Sequence, residues 1–271
     1  MIDRKPLISV ILPVYNSEEY IFQSLDSLKK QTFKNFEIII INDCSTDRSL
    51  EIVRSLFPKS SKSNVKIISN KKNLGITKSL NKAFNLSKSK YIARMDADDI
   101  SENKRLERQL DFLESNKEIS LCGTNVNLID EKNKVFGKTN YPTSHFDIKT
   151  MLFFQNTFCH STIFFKKNIF SKSPYDTSFE TTQDYELFSR LIKNHKLANL
   201  KDCLGKLRIH SKSASKLKRN IQLKNSIRVQ RKYFLTYFLD SKFNKKNFED
   251  LNKFFLSDKN AFKNKEDIPL L

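Results

Sequence analysis

Phe36-Glu37-Ile38-Ile39-Ile40-Ile41, running straight into Asn42-Asp43-Cys44-Ser45-Thr46-Asp47, fixes the class of this chain. The first six residues have the length of a strand, and from Ile38 onward neither face carries a polar side chain. A strand that is apolar on both faces belongs in a parallel sheet covered on both sides. Leu7-Ile8-Ser9-Val10-Ile11-Leu12 repeats the pattern upstream, and Val65-Lys66-Ile67-Ile68 and Tyr91-Ile92-Ala93-Arg94-Met95 repeat it downstream. Between these strands the period changes to that of a helix. Glu19 to Lys30 places Ile21, Phe22, Leu25 and Leu28 on one face, and Arg48 to Phe57 and Ile76 to Ser87 behave likewise. The alternation predicts an α/β fold with a Rossmann-like first half. In such sheets ligands gather beyond the carboxyl ends of the strands. Pro13-Val14-Tyr15-Asn16, Asn42 to Asp47, Asn70 to Gly75 and Asp96-Ala97-Asp98-Asp99 should therefore share one edge.

After Asp99 the pattern is less regular. Asn103 to Asn116 reads as an amphipathic helix through Leu106, Leu110 and Leu113, Ile119 to Ile129 as one or two strands, and Ser161 to Phe165 as another strand. Tyr141-Pro142-Thr143 opens a loop, and Asp184 to Asn194 is a helix with Leu187, Phe188, Leu191 and Ile192 apolar. From Ser211 the chain carries fifteen Lys/Arg against six Asp/Glu and no Gly, which predicts a basic helical tail. The expected division is 1–100, 101–215 and 216–271. No repeat of solenoid period is present.

A length of 271 residues allows one large domain or two fused halves with a substantial core. The net charge of +19 raises nucleic acid, anionic lipid and phosphorylated substrates as partners, although much of it follows from a Lys- and Asn-rich composition. Cys44, Cys122, Cys159 and Cys203 lie far apart, without CxxC or zinc spacing, and read as reduced thiols of a cytosolic protein. Pro13 interrupts the first apolar run, no small-residue cleavage site follows it, and no stretch reaches the roughly 18 apolar residues of a membrane span. Contact with a membrane would be peripheral.

The acidic cluster Asp96 to Asp99 has two readings. Carboxylates where a strand runs out offer hard oxygen ligands to a divalent cation, which in turn can hold a diphosphate. Aspartate is also the ordinary residue before a helix, and one is expected to start near Ser101.

Taken in order, Val10 to Asn16, Ile41 to Asp47, Asn73-Leu74-Gly75 with Asn81, Tyr91 to Asp99, His160-Ser161-Thr162, Gln183 to Leu187 with Arg190, and Arg208-Ile209-His210 with Ser213 and Ser215 resemble the family 2 glycosyltransferases of the GT-A fold. The resemblance spans about residues 6 to 215 and leaves the tail outside. It implies a Rossmann-like nucleotide-binding half fused to an acceptor-binding half. The implied reaction transfers a sugar, with inversion, from a nucleotide-diphosphate donor. In the family the loop matching Pro13, Val14, Tyr15 and Asn16 and the carboxylate matching Asp43 hold the base of the nucleotide. A carboxylate accepts from the imide N–H of uracil or thymine, which points to a UDP- or TDP-sugar. Asp47 is expected to cap the second helix. Asn73, Lys78, Asp96 and Ala97 complete the implied donor site. Lys78 enters because Leu80 stands where many relatives carry Arg, although residues two apart on a helix do not share a face.

Asp96 and Asp98 match the DxD motif, in which the second acid ligates Mn2+ or Mg2+ and the first contacts ribose or the metal shell; Asp99 is expected as a helix cap. Arg94 either faces the phosphates or is solvated. His210 matches a position near the diphosphate and metal, as a ligand or as a structural imidazole, and His160 is not expected to do chemistry. Asp184 stands at the place of the catalytic base, which takes the acceptor hydroxyl proton. Most relatives have Glu-Asp there, and Gln183-Asp184 keeps the base while removing a neighbouring charge. Processive relatives carry Gln-x-x-Arg-Trp and membrane spans; a chain without Trp is expected to add a single sugar.

The resemblance also implies a glycan or lipid-linked acceptor in bacterial surface polysaccharide synthesis, at the inner face of the plasma membrane. A sugar nucleotidyltransferase would open with a Gly-rich phosphate loop, and the first Gly here is Gly75. A nucleic-acid-binding protein would bring a zinc-finger spacing, an RNP motif or a zipper, and none is found. The segment Ile227 to Leu239 mixes Arg228, Arg231 and Lys232 with aromatic residues. It would lie on an anionic membrane, pack on the catalytic domain, or pair two subunits.

Overall fold

The computed structural model describes residues 5–58 and 64–238. Four parallel strands form its first half: β1 (Ile8–Val14), β2 (Phe36–Asn42), β3 (Val65–Ser69) and β4 (Tyr91–Arg94), in spatial order β3-β2-β1-β4. The two-residue period of the strands sorts their side chains into two cores. Val10, Leu12, Ile38 and Ile40 pack with Leu25 and Leu28 of α1 (Ile21–Lys29) and Val53 of α2 (Ser49–Leu56). Ile11, Ile39 and Ile41 pack on the opposite face with Leu80, Ala83 and Phe84 of α3 (Ile76–Leu86). The unbroken isoleucine run of β2 is needed because both of its faces are covered.

The chain after β4 departs from expectation at once. Ile100–Ser101 is a two-residue strand, β5, and no helix starts near Ser101; the next helix, α4, spans Arg105–Ser115 and packs Leu106, Leu110 and Leu113 into the first core. Asp99 accordingly caps nothing. It is 3% exposed, and its Oδ1 accepts a hydrogen bond from the Arg208 amide at 2.9 Å.

The second half continues the same sheet. β6 (Ile119–Ile129) is one strand of eleven residues, joined by a turn to β7 (Val135–Lys138). After α5 (His145–Met151), β8 (Phe164–Lys166) runs antiparallel between β4 and β6. α6 (Gln183–Leu191) leads to β9 (Lys196–Arg208), which runs parallel to β6 with three register shifts and pairs with β5 at the far edge. Gly123 of β6 lies under this second layer. A Cβ there would stand 2.7 Å from Phe158 Cδ1 and closer still to Asn199 Oδ1. Gly123→Ala is expected to cost about 1–3 kcal/mol through overpacking, read as a lower urea midpoint with unchanged slope.

The short helix α7 (Ala214–Leu217) and the long helix α8 (Arg219–Phe238) end the described chain. Val229 is 1% and Tyr233 2% exposed, both within the second core, and the Tyr233 ring lies 4.4 Å from that of Phe153. This part of the expected membrane-facing stretch therefore packs on protein. The tail from residue 239 lies outside the described residues.

Candidate functional site

β1 and β2 end side by side, and the loops beyond them brace each other. Asn16, held at φ 46°, accepts from the Thr46 amide at 2.9 Å and donates its own amide to Ser45 Oγ at 3.2 Å. Pro13 and Val14 are buried in the strand, and Tyr15 stands 49% exposed at the rim. The N-cap of α2 is Arg48 rather than the expected Asp47, which lies one residue earlier, its Oδ1 accepting from the Ser49 amide at 3.0 Å while Oδ2 accepts from Glu18 N.

Asp43 is 3% exposed and holds the next loop. Its Oδ1 accepts from Asn70 Nδ2 at 2.7 Å and Leu74 N at 2.9 Å, and Oδ2 accepts from Gly75 N at 2.8 Å. A carboxylate offers about four acceptor positions, and these contacts fill three of them. Asn73 Oδ1 also accepts from Gly75 N, at 3.0 Å, where φ is 84° and only glycine is unstrained. Lys78 is exposed on α3. Lys82, one turn further, donates to Asn70 Oδ1 at 2.6 Å and so joins the Asp43 network.

The acidic cluster lies where β4 ends. One ligand oxygen each from Asp96, Asp98 and Asp99 fall within 4.8 Å of one another, the only such group among the described residues. Asp96 is gripped by both terminal nitrogens of Arg94. Arg94 is 1% exposed and its Nε has no partner. It does not lie in solvent. Burial pushes the Asp96 carboxyl up to about 6 against the pull of Arg94. Burial, then the charges of Asp98 and Asp96, push Asp99 well above the usual range.

Asp98 Oδ2 lies 3.0 Å from His210 Nε2; the His210 ring is 8% exposed, with Nδ1 unpartnered, and sits 5.0 Å from the Tyr20 ring. Three hard oxygens beside an imidazole suit Mn2+ or Mg2+. Asp99 Oδ2, buried and unpartnered, supports that fit. Ala97 is buried between the two acids, and Ser161 Oγ fixes their backbone by accepting from Asp96 N at 3.1 Å.

Asp184 lies in the first turn of α6, where the helix N-terminus favours a negative charge. Its Oδ2 accepts from Asn156 Nδ2 at 2.8 Å. Burial raises its pKa, while its own backbone contacts, Arg94 and Asn156 oppose the rise. The Arg94 charge lowers the pKa of Asp96 and of Asp184 alike. His160 and Tyr175 complete this interior, with Nε2 to OH at 2.9 Å. Burial and Arg94 hold His160 well below its ordinary pKa, so it is neutral.

Sequence reasoning overlooked several of these groups. Arg208 is the clearest case. Its Nε donates to Asp98 O at 2.9 Å, one terminal nitrogen to Gln23 Oε1 at 2.9 Å, the other to Asp130 O at 3.1 Å, and its guanidinium lies 4.5 Å from the Tyr20 ring centre. It appeared only within a motif, and its partners come from three separate segments. Asn156 lay in a stretch without a periodic signal, and Lys82 among the polar residues of the helix expected over Ile76 to Ser87.

The family model described as "Glycosyl transferase family 2" matches residues 9–173. The chain belongs to the family 2 glycosyltransferases. This glycosyltransferase is 34% identical over 245 residues to an uncharacterized glycosyltransferase of Haemophilus influenzae, covering 87% of this chain and 75% of the relative. It is 35% identical to the O-antigen biosynthesis glycosyltransferase WbnJ of Escherichia coli, over 78% of this chain and 82% of that one. Among solved structures, S. aureus TarS residues 1–349 in complex with UDP-GlcNAc superposes with a TM-score of 0.68 at 18% identity, covering 95% of this chain and 74% of that one. A mannosyltransferase of Pyrobaculum calidifontis in complex with GDP-Man and Mn2+ superposes at 0.63 and 14% identity, over 93% of this chain and 70% of that one. These two likenesses show the GT-A fold. No helix among the described residues is long and apolar enough to cross a membrane.

Proposed function

We propose that this glycosyltransferase moves one sugar, with inversion, from a UDP- or TDP-sugar to a glycan or lipid-linked glycan of a surface polysaccharide. The observation that carries the reading is the acidic cluster at the end of β4, where Asp96, Asp98 and Asp99 bring ligand oxygens within 4.8 Å of one another beside His210, with Asp184 in the first turn of α6 as the base. Relatives named for O-antigen and amylovoran biosynthesis support the polymer context. The free position on Asp43 supports a base with an imide N–H, and Pro13, Val14, Tyr15 and Asn73 would contribute backbone and rim contacts to the nucleoside. The matched family region ends before Asp184 and His210, so their roles rest on geometry.

In this reading residues 1–100 hold the donor, and residues 101–215 hold the acceptor. Asp96, Asp98 and His210 would hold Mn2+ or Mg2+, which supplies charge neutralisation for the departing diphosphate. Arg94 keeps Asp96 ionised and aligned. Asp184 takes the acceptor hydroxyl proton as its oxygen attacks the sugar from the face opposite the nucleotide. A panel of UDP-, TDP- and GDP-sugars with Mn2+, assayed for nucleotide release, tests the donor; preferred release from a GDP-sugar would reject the assignment.

A peripheral membrane contact is favoured by the exposed side chains Leu217, Ile221 and Leu223 (72%, 44% and 36%), set among Lys216, Arg219 and Lys224. The full chain is expected to sediment with anionic but not neutral vesicles at low salt, and Leu217→Ser with Ile221→Ser should weaken this. Absence of sedimentation at low salt would leave the tail as a packing or pairing element.

A further inference from the structure

Asp184 is reached through two stretches of irregular chain, and α8 holds both from outside. The incoming stretch, Ser178 to Thr182, meets α8 at successive residues. Arg228 lies 4.2 Å over the Phe179 ring and reaches Ser178 Oγ at 3.4 Å. Lys218 pairs with Glu180, and Asn225 Nδ2 donates to Thr181 O and Oγ1 at 3.3 and 3.1 Å. Next comes Thr182 at φ 61°, a left-handed backbone that a β-branched residue keeps only where its surroundings impose it. The second stretch carries Asn156, which binds Asp184; two residues before it, Phe154 O accepts from Gln230 Nε2 at 2.6 Å. On α6 itself, Glu186 is 1% exposed and its Oε1 accepts from Lys232 at 3.1 Å.

We propose that α8 is a latch on the catalytic base, with Asn225, Arg228 and Gln230 as positioning residues that hold the backbone before Asp184 and the amide that orients it. α8 lies beyond the matched family region, so nothing in that match assigns it a role. The inference rests on the reading of Asp184 as the base. Its physical content is that Ser178 to Thr182 is otherwise anchored chiefly at Phe179, by its buried ring and by Thr77 Oγ1 donating to its carbonyl at 2.9 Å, so that the residues leading from it to Asp184 open locally without α8. A base displaced by a fraction of an ångström loses rate without loss of donor affinity.

The test uses the full chain carrying Asn225→Ala and Arg228→Ala. Amide hydrogen exchange over residues 178–187 is expected to accelerate roughly tenfold or more. Hydrolysis of the nucleotide sugar released fastest in the Mn2+ panel, with water in place of the acceptor hydroxyl, should show kcat lowered roughly tenfold or more and donor KM unchanged within about twofold. Arg228→Lys alone keeps a cation over Phe179 and should restore most of the rate. Unchanged exchange, or faster exchange with unchanged kcat, overturns the latch. If the double variant melts without cooperativity, each single variant is judged by the same readouts. Asp184→Asn is run beside them: its retained hydrolysis would reject the base itself, whereas an inactive Asp184→Asn beside a fully active double variant rejects only the latch.

Discussion

Asp184→Asn is expected to bind nucleotide sugar in Mn2+ as tightly as the parent chain and to transfer sugar at least ~100-fold more slowly. The amide keeps the oxygen that accepts from Asn156, so the helix start should survive the change. What it loses is the ability to take a proton when the acceptor oxygen attacks, an interaction made only as charge moves. The parent enzyme should also lose rate as pH falls, because the base works only when deprotonated. Burial raises the Asp184 pKa, so that acid limb is displaced upward from that of an ordinary aspartate. Asn156 works against the rise, and Asn156→Ala should therefore move the limb to higher pH. Full turnover in Asp184→Asn, or an acid limb that ignores Asn156, would remove the assignment.

The second large effect is expected at Asp98. Asp98→Asn should weaken Mn2+-dependent donor binding on the order of a hundredfold, since loss of groups that merely support a metal ligand already costs 10–100-fold. EDTA should do the same to the parent chain. Equal affinity by calorimetry with and without metal would place the donor elsewhere.

The metal-free protein adds an independent reading. Asp96 and Asp99 have folded pKa values raised above their unfolded ones, Asp96 to about 6. Such groups stabilise the fold below the unfolded value, and that contribution is lost as pH rises through the folded one. Mn2+ should accordingly raise the melting temperature more at about pH 7.5 than at about pH 5, and less in Asp98→Asn.

The parallel strands were legible because Ile38 to Ile41 and Val10 to Leu12 must be apolar on both faces, and a doubly covered strand leaves that mark in one short run. β9 was not legible. Lys196 to Arg208 mixes exposed Lys201 and Asp202 with buried Leu197 and Leu200, and its three register shifts break the two-residue period. β5 was hidden for another reason: two residues carry no pattern, and Asp99 beside them resembles a helix cap.

At the site, the acids announced themselves by clustering in sequence. Arg94 did not, since a cation on a strand flank looks solvated until the fold shows it buried and held on Asp96. The tail misled in part: Val229 and Tyr233 sit among basic residues in sequence but point into the core, and only the fold separates the two faces of α8.

Among the described residues the nine-stranded sheet is bounded by β3 at one end and β5 at the other, with β7 hanging from β6. β3 has five residues and a lysine at its second position, β7 four residues ending in Lys138, and β5 only two. None gives a neighbouring molecule a long flat rim of open amides and carbonyls to zip against. Edge-to-edge stacking of folded molecules is thereby discouraged at these three short strands.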